Sequence, residues 1–406
     1  MRQIFVRLRV APGPAWSLGR WLLLLGLAAA IPRFGQAQQL LDFQYTDSLS
    51  QALLSQRRYR ALDSVGRAAR ALGAGYPALS CRLGAGALAT GHPAQALGYY
   101  QAAFGQNSLD PVARSGLALA YQALNQPGAA TLLAYALPDS LRQALHLPGP
   151  GALTSLEAEA SVLATAERRR GAATFGRLGV SSRLGARVVL GQEVSYYHQP
   201  VELPRPGYPG ESRPHTLSQW QYHALLTVQL APRWQAKGGY DFISRDLGSN
   251  HLGYLALAYA HPYFTLQGGF YAGTLADTAR TQTDVRLTVY PLGNPRLYAF
   301  GRGSVVASGG RGYPNGLLGL GGRLRPWLWA EAWVGGGPVP VLAELDGTYV
   351  YNLLDPLQRR AAGSLLILAP RRLAVRLTYG TEQRRLLFTN QPYTLHSFTA
   401  SLAWNW

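Results

Sequence analysis

Trp220-Gln221-Tyr222-His223-Ala224-Leu225-Leu226-Thr227-Val228-Gln229-Leu230 changes character at nearly every second residue. Trp220, Tyr222, Ala224, Leu226, Val228 and Leu230 share one face, and Gln219, Gln221, His223, Thr227 and Gln229 the other. A period of two belongs to a β-strand, whose successive side chains point to opposite sides. Asp284–Val289 and Leu373–Tyr379 alternate in the same way, and Thr154–Ala164 carries Glu157 and Glu159 against an apolar face. Each run is about ten residues, the length of a tilted membrane strand. Such a pattern fits a soluble sandwich, with the apolar face turned inward onto a second sheet. It also fits a membrane barrel, with that face turned outward to lipid around a polar lumen.

Three features favour the barrel. Tight turns at Leu184-Gly185-Ala186, Ala231-Pro232, His261-Pro262, Leu292–Pro295, Arg325-Pro326 and Pro370-Arg371 alternate with longer connections such as Gln199–Thr216 and Gly336–Arg360. Short turns at one end and long loops at the other are the usual asymmetry of outer-membrane barrels. Strands after a turn share a theme, as in Trp234-Gln235-Ala236-Lys237-Gly238-Gly239-Tyr240 and Phe264-Thr265-Leu266-Gln267-Gly268-Gly269-Phe270. The chain ends LHSFTASLAWNW, an amphipathic run closing on Trp406. Residues 149–406 then hold about fourteen antiparallel transmembrane strands, an even number. If the first strand enters from the periplasm, the long loops lie outside and Trp406 returns to the periplasmic rim.

Upstream the period is helical. Leu79, Leu83 and Ala87 recur at helical spacing, as do Ala96, Tyr99, Tyr100 and Ala103. Leu83-Gly84 with Ala87, Ala96, Tyr100 and Ala103 is echoed 34 residues later by Leu117-Ala118 with Tyr121, Ala130, Ala134 and Leu137. A weaker unit surrounds Leu49, Leu53, Tyr59, Ala61 and Leu62. Pro148-Gly149-Pro150-Gly151 ends the pattern. The reading is therefore multidomain: an all-α helical-repeat domain over 38–148, then the barrel. The first 37 residues hold five arginines and no acid, an apolar run Trp21–Ile31 and small residues at Gly35 and Ala37. That combination is a secretory signal peptide cut after Ala37, which places residues 38–148 in the periplasm of a Gram-negative cell. Cys81 is the only cysteine, so no internal disulfide forms.

Half the chain is apolar (48%) and 14% charged, which excludes a disordered polyelectrolyte. The net charge of +18 is scattered arginine rather than one basic stripe, so no nucleic-acid partner is expected. HExxH, GxSxG and paired-cysteine motifs are absent from the sequence, so no enzyme, catalytic residue, metal or cofactor is expected. An outer-membrane lipid hydrolase is the remaining enzymatic alternative. His396-Ser397 cannot supply its pair, because neighbours on a strand face opposite ways.

Leu88–Phe104 (LATGHPAQALGYYQAAF) resembles a tetratricopeptide repeat, which implies a concave face that binds a periplasmic protein. The last strand with Trp406 resembles the signal read by the barrel-assembly machinery. The whole arrangement resembles the YaiO family of outer-membrane proteins and, more loosely, the PgaA-like polysaccharide porins. That resemblance implies transport or export, with a polysaccharide as cargo. The alternative is a non-conducting structural or ligand-binding barrel. Alternation places Glu157, Glu159, Arg187, Glu193, Lys237, Asp241, Asp284, Arg286, Arg376 and Glu382 inward, lining either an open conduit or a lumen closed by ion pairs. Trp327, Trp329 and Trp333 share a face with Glu331: turned inward they suit stacking on a sugar chain, and turned outward they are girdle residues at the headgroups. Arg168-Arg169-Arg170, Arg245, Arg280, Arg311, Arg359-Arg360 and Arg384-Arg385 make the loops basic. They either meet lipopolysaccharide phosphate or an acidic glycan or are ordinary solvated charge.

Overall fold

The computed structural model describes residues 42–405, apart from 148–152, 206, 209–210, 246–247, 276–277 and 352–353. The signal-peptide segment, the proline–glycine hinge and Trp406 lie outside the described residues.

Among the described residues seven helices come first: α1 (Phe43–Ser55), α2 (Tyr59–Ala71), α3 (Pro77–Ala89), α4 (Pro93–Gln106), α5 (Pro111–Ala123), α6 (Pro127–Ala134) and α7 (Asp139–Ala144). α1, α3 and α5 begin 34 residues apart, as do α2, α4 and α6. The weaker unit around Leu49–Leu62 is thus a third hairpin of the same period, with Leu62 fully buried. Pro77, Pro93, Pro111 and Pro127 each open a helix, where the missing N–H is no loss. Asp42 and Asp110 cap α1 and α5 through their carboxylates. Alanines at the crossing points, Ala96, Ala103, Ala113 and Ala130, are fully buried and let the helices approach closely.

Cys81 lies in this core, 3.9 Å from the Asp110 carboxylate. Burial and the neighbouring Asp110 charge push its thiol up to about 11. Since the thiolate is the reacting species, the folded protein is expected to resist maleimide at neutral pH and to label fully once denatured. Rapid native labelling would contradict the packing.

The sheet follows as β1 (Leu153–Thr165), β2 (Ala173–Arg183), β3 (Val188–Pro204), β4 (Ser212–Ala231), β5 (Trp234–Arg245), β6 (Gly248–His261), β7 (Phe264–Leu275), β8 (Thr278–Val289), β9 (Leu297–Ser308), β10 (Arg311–Arg325), β11 (Leu328–Val339), β12 (Leu342–Glu344), β13 (Tyr349–Tyr351), β14 (Leu357–Ala369), β15 (Leu373–Arg385) and β16 (Pro392–Asn405). All but β12 and β13 form one closed antiparallel barrel of fourteen strands. It closes from Ser155 opposite Asn405 to Thr165 opposite Leu395.

The faces settle its orientation. Leu178, Leu255, Leu318 and Phe398 are 66%, 68%, 69% and 65% exposed on the outside. Gln221, His223, Asp241, Gln282, Asp284 and Arg302 are buried on the inside. An apolar exterior around a polar interior is the inverse of a water-soluble sandwich. It is the build of an outer-membrane-type barrel, in which closure leaves no unpaired edge in lipid.

The six tight turns all lie at one end, together with the start of β1 and the end of β16. The helices meet the barrel at this turn end: Asn294 donates to the Gly91 carbonyl at 3.3 Å, and Gln126 to the His261 carbonyl at 3.5 Å. At the other end the expected long loops are only partly present. Most of Gln199–Thr216 is strand, since β3 and β4 stay paired to Pro204 and Ser212. Two residues join β9 to β10, where Gly309 and Gly310 both take positive φ (56° and 75°) and make the reversal that suits a hairpin. The connection between β11 and β14 runs into the barrel instead of outward.

Candidate functional site: the lumen and its inward loop

From Val341 to Tyr351 the chain folds into the lumen, where β12 pairs with β13 in a short hairpin. Leu345, Asp346 and Gly347 all have positive φ (48°, 64° and 104°), which makes the reversal tight. Gly347 has a second constraint. A Cβ at this position would lie 2.8 Å from His223 Cε1 and 2.9 Å from Asp241 Oδ2, so the tip is pressed onto the wall.

The wall holds this loop by charge. Lys237 lies 2.6 Å from the Asp346 carboxylate, and Arg286 lies 3.9 Å from the same carboxylate. Tyr254 and Gln267 both donate to Asp346 at 2.7 Å. Glu344 is clamped between Arg302 and Arg360, and Arg302 also holds Asp284 at 2.6 Å. Gln282 grips the backbone of Ala343 in both directions, at 2.7 and 3.0 Å. Gln221 donates to the Gly347 carbonyl at 3.0 Å, and on its other side to Asp241, which also meets His223 Nδ1 at 2.8 Å. Apolar contacts finish the seating: Val341, Ala343 and Val350 pack with Ile243, Leu252 and Tyr271.

A second cluster surrounds Arg177, which meets Glu157 at 3.3 Å, Glu159 at 3.4 Å and Glu193 at 3.0 Å. Tyr349 of the inward hairpin donates to Glu159 at 2.7 Å and so ties the loop to β1. Arg177→Met would leave three carboxylates facing one another without a cation. Breaking a buried pair typically costs about 3–5 kcal/mol, so this variant is expected to lose its heat-modifiable folded band at a clearly lower temperature. An unchanged transition would mean that solvent already screens the cluster.

The sequence-derived lumen positions distribute as follows. Glu157, Glu159 and Glu193 converge on Arg177; Lys237 and Arg286 on Asp346; Asp241 on His223; and Asp284 on Arg302. Arg376 lies 3.8 Å from Glu331, and Glu382 pairs with Arg384 at 2.6 Å. Arg187 is a correction. It sits in the β2–β3 turn, exposed, and donates to the Leu230 carbonyl at 2.9 Å.

The indole series is corrected too. Trp327 lies in the two-residue turn between β10 and β11 and is 53% exposed, at the end of the barrel and not along its inner wall. Trp329, Glu331 and Trp333 share the inward face of β11, with Tyr298 donating to Glu331 at 2.6 Å and Arg360 lying 5.1 Å over the Trp333 ring. The basic loop residues divide as well. Arg170 is buried on Asp355 at 2.6 Å, and Arg360 and Arg384 turn inward. Among the described residues no group of three or more His, Cys, Asp or Glu side chains could hold a metal ion.

Glu344 and Asp346 were not picked out by strand alternation, because they lie on no barrel strand. Their signal was compositional: Val339-Pro340-Val341-Leu342-Ala343 is too apolar for a solvated external loop.

No protein-family model matches the chain, and no curated relative matches its sequence. The fold is similar to that of several solved barrels. The toluene transporter TodX of P. putida is 10% identical over 70% of this chain and 98% of its own, with a TM-score of 0.43. A bacterial polysaccharide outer membrane secretin is 10% identical over 63% of this chain and 99% of its own, with a TM-score of 0.39. Outer membrane protein Omp33 of Acinetobacter baumannii is 8% identical over 63% of this chain and 100% of its own, with a TM-score of 0.36. Each is a likeness of fold alone.

Proposed function

We propose that this chain is an outer-membrane protein that passes a polar solute through its lumen, with the inward loop as the movable gate. One observation carries this reading: beside its apolar contacts, the loop is fastened by two carboxylates, Glu344 and Asp346, on wall cations. Ion pairs of this kind can exchange partners with a charged cargo, as a dry core cannot. The helical hairpins, with their 34-residue recurrence, support a tetratricopeptide-like platform at the periplasmic mouth that docks a protein partner. The glycine–aromatic strand pairs support a place beside the YaiO-family barrels. A glycan is the cargo class favoured by half-buried Trp329 and Tyr298 flanking the Glu331 carboxylate on the inner wall.

Planar-bilayer recording tests the conduit. The intact barrel is expected to be silent or to open rarely, and a barrel lacking residues 341–351 to give stable single-channel steps. Silence from the shortened, folded barrel would overturn the conduit. It would favour the non-conducting, ligand-binding alternative, which the density of ion pairs in the lumen would then explain.

A further inference from the structure

The lipid-facing wall is uneven in depth. Along the closing seam, outward-facing Ala160 of β1 pairs with Ala400 of β16 on one side and Gly176 of β2 on the other. Ala158 continues this floor of small residues. Large side chains rise around it: Phe398 and Val162 above, Leu178 and Leu402 below, and Trp220 toward β4. Low floor and high walls leave an apolar groove in two adjoining reaches of about 800 and 590 Å3. No described residue covers it, and the groove lies at mid-height in the band that faces acyl chains.

Basic groups stand above the groove, toward the loop end. His396 is two residues up β16 from Phe398, roughly 7 Å along the strand, and its Nδ1 lies 2.9 Å from the Tyr379 hydroxyl. Arg385 is six residues up β15 from Tyr379, roughly 20 Å along a tilted strand. Arg359 of β14 stands level with Gln383, just below it. Each arginine belongs to an Arg–Arg pair whose other member turns inward onto a carboxylate: Arg360 on Glu344 and Arg384 on Glu382. The alternation of the strand therefore delivers one cation to the lumen and the next to the level of the lipid headgroups, and both outward members are exposed.

We infer that the groove is a binding site for one phosphorylated, multiply acylated glycolipid of the outer leaflet, the lipid A part of lipopolysaccharide. Its acyl chains lie over Ala160, Ala400 and Gly176, and its phosphates meet Arg359 and Arg385. Arginine suits that role, because its planar fork pairs two-pronged with phosphate oxygens. Charge argues against a second copy of this chain. A two-fold contact across the seam would bring identical patches together and set the arginines of one copy near those of the other.

The inference rests on residence in the outer membrane and not on the conduit, since a barrel that never conducts would still retain lipid. The test uses the full-length protein, extracted in mild detergent from outer membranes rich in lipopolysaccharide and freed of loose lipid by gel filtration. Mass spectrometry should find lipid A retained with the chain. Ala400→Trp, which fills the groove, should reduce retention by about tenfold, and Arg359→Glu with Arg385→Glu should do the same. Val285→Trp, on the exposed wall at β8 opposite the seam, should leave it unchanged. Heat-modifiable migration reports folding of each variant. If Ala400→Trp does not fold, the charge variants, which touch no groove side chain, decide the matter. Absence of retained lipid A would overturn the site. So would phospholipid retention indifferent to the charge reversals, or a native-mass dimer that Ala400→Trp dissolves.

Discussion

A barrel carrying Glu344→Ala together with Asp346→Ala is expected to conduct steadily where the unaltered barrel is silent. Asp346 neutralises Lys237 and Arg286 and accepts hydrogen bonds from Tyr254 and Gln267; Glu344 neutralises Arg302 and Arg360. Removing one partner of a buried pair leaves the other charge uncompensated, typically at about 3–5 kcal/mol. Since 1.4 kcal/mol is tenfold, a loss of about 3 kcal/mol shifts the ratio of seated to unseated loop by roughly 150-fold. The two losses share one loop and will not add simply. Val341 and Val350 keep their apolar contacts, which is why both carboxylates must go for the opening to be stable. The vacated wall holds Lys237, Arg286, Arg302 and Arg360, so the current should favour anions in a salt gradient. Acid should act in the same direction. Burial works against ionisation of Asp346, but the Lys237 and Arg286 charges outweigh it and hold the carboxyl at about 2. Its contribution is therefore complete above about pH 4, the ordinary carboxylate value, and is lost as pH falls through 2. Openings should become frequent only in that acid window. A double variant that folds and stays silent at neutral pH would sink the gate.

How much of this was legible beforehand depended on where each residue lies. The strands could be read because a barrel wall faces two solvents of opposite character, and that contrast prints a period of two onto Trp220–Leu230 and Leu373–Tyr379. The helical hairpins could be read because their packing repeats, and Ala96 and Ala130 must both stay small. Charged wall residues such as Lys237 and Asp284 could be assigned a face by parity alone. Their partners could not. Arg177 gathers three carboxylates from β1 and β3, and Asp346 gathers donors from β5, β6, β7 and β8. Those meetings are set by closure and by a loop whose path no local period records. Trp327 shows the converse. Its parity matched Trp329 and Trp333, yet it falls in the two-residue turn before β11 begins at Leu328. Local pattern assigns a face only while the ladder continues.

The helical part offers the other large effect: Gly116→Val is expected to unfold residues 43–144 while leaving the barrel intact. The Tyr100 ring is wedged between two glycines and is 5% exposed. A Cβ at Gly116 would lie 2.1 Å from its Cε1, and one at Gly84 would lie 2.7 Å from its Cε2. The ring cannot retreat from either helix without striking the other, so α3, α4 and α5 share one steric lock. Overpacking of a core typically costs about 1–3 kcal/mol, and an overlap this severe from both sides should exceed that range. A helical array of this size has a net stability of only about 5–15 kcal/mol, so its hairpins should become protease-sensitive and lose ellipticity near 222 nm. The barrel, closed by its own strand pairs, should keep its heat-modifiable migration. Tyr100→Ala supplies the control. Alone it opens a cavity, typically worth about 3–5 kcal/mol; combined with Gly116→Val it removes the clash that Val creates. The pair should therefore be clearly less damaging than the sum of its parts, by a coupling of about 1–3 kcal/mol. Additive losses, or a Gly116→Val protein as protease-resistant as the original, would mean that the ring is not what spaces the repeats. Such a coupling would fix the geometry of the proposed docking platform to one aromatic side chain, and Gly116→Val placed in the Glu344→Ala, Asp346→Ala barrel would separate partner capture, which should fail, from conduction, which should not.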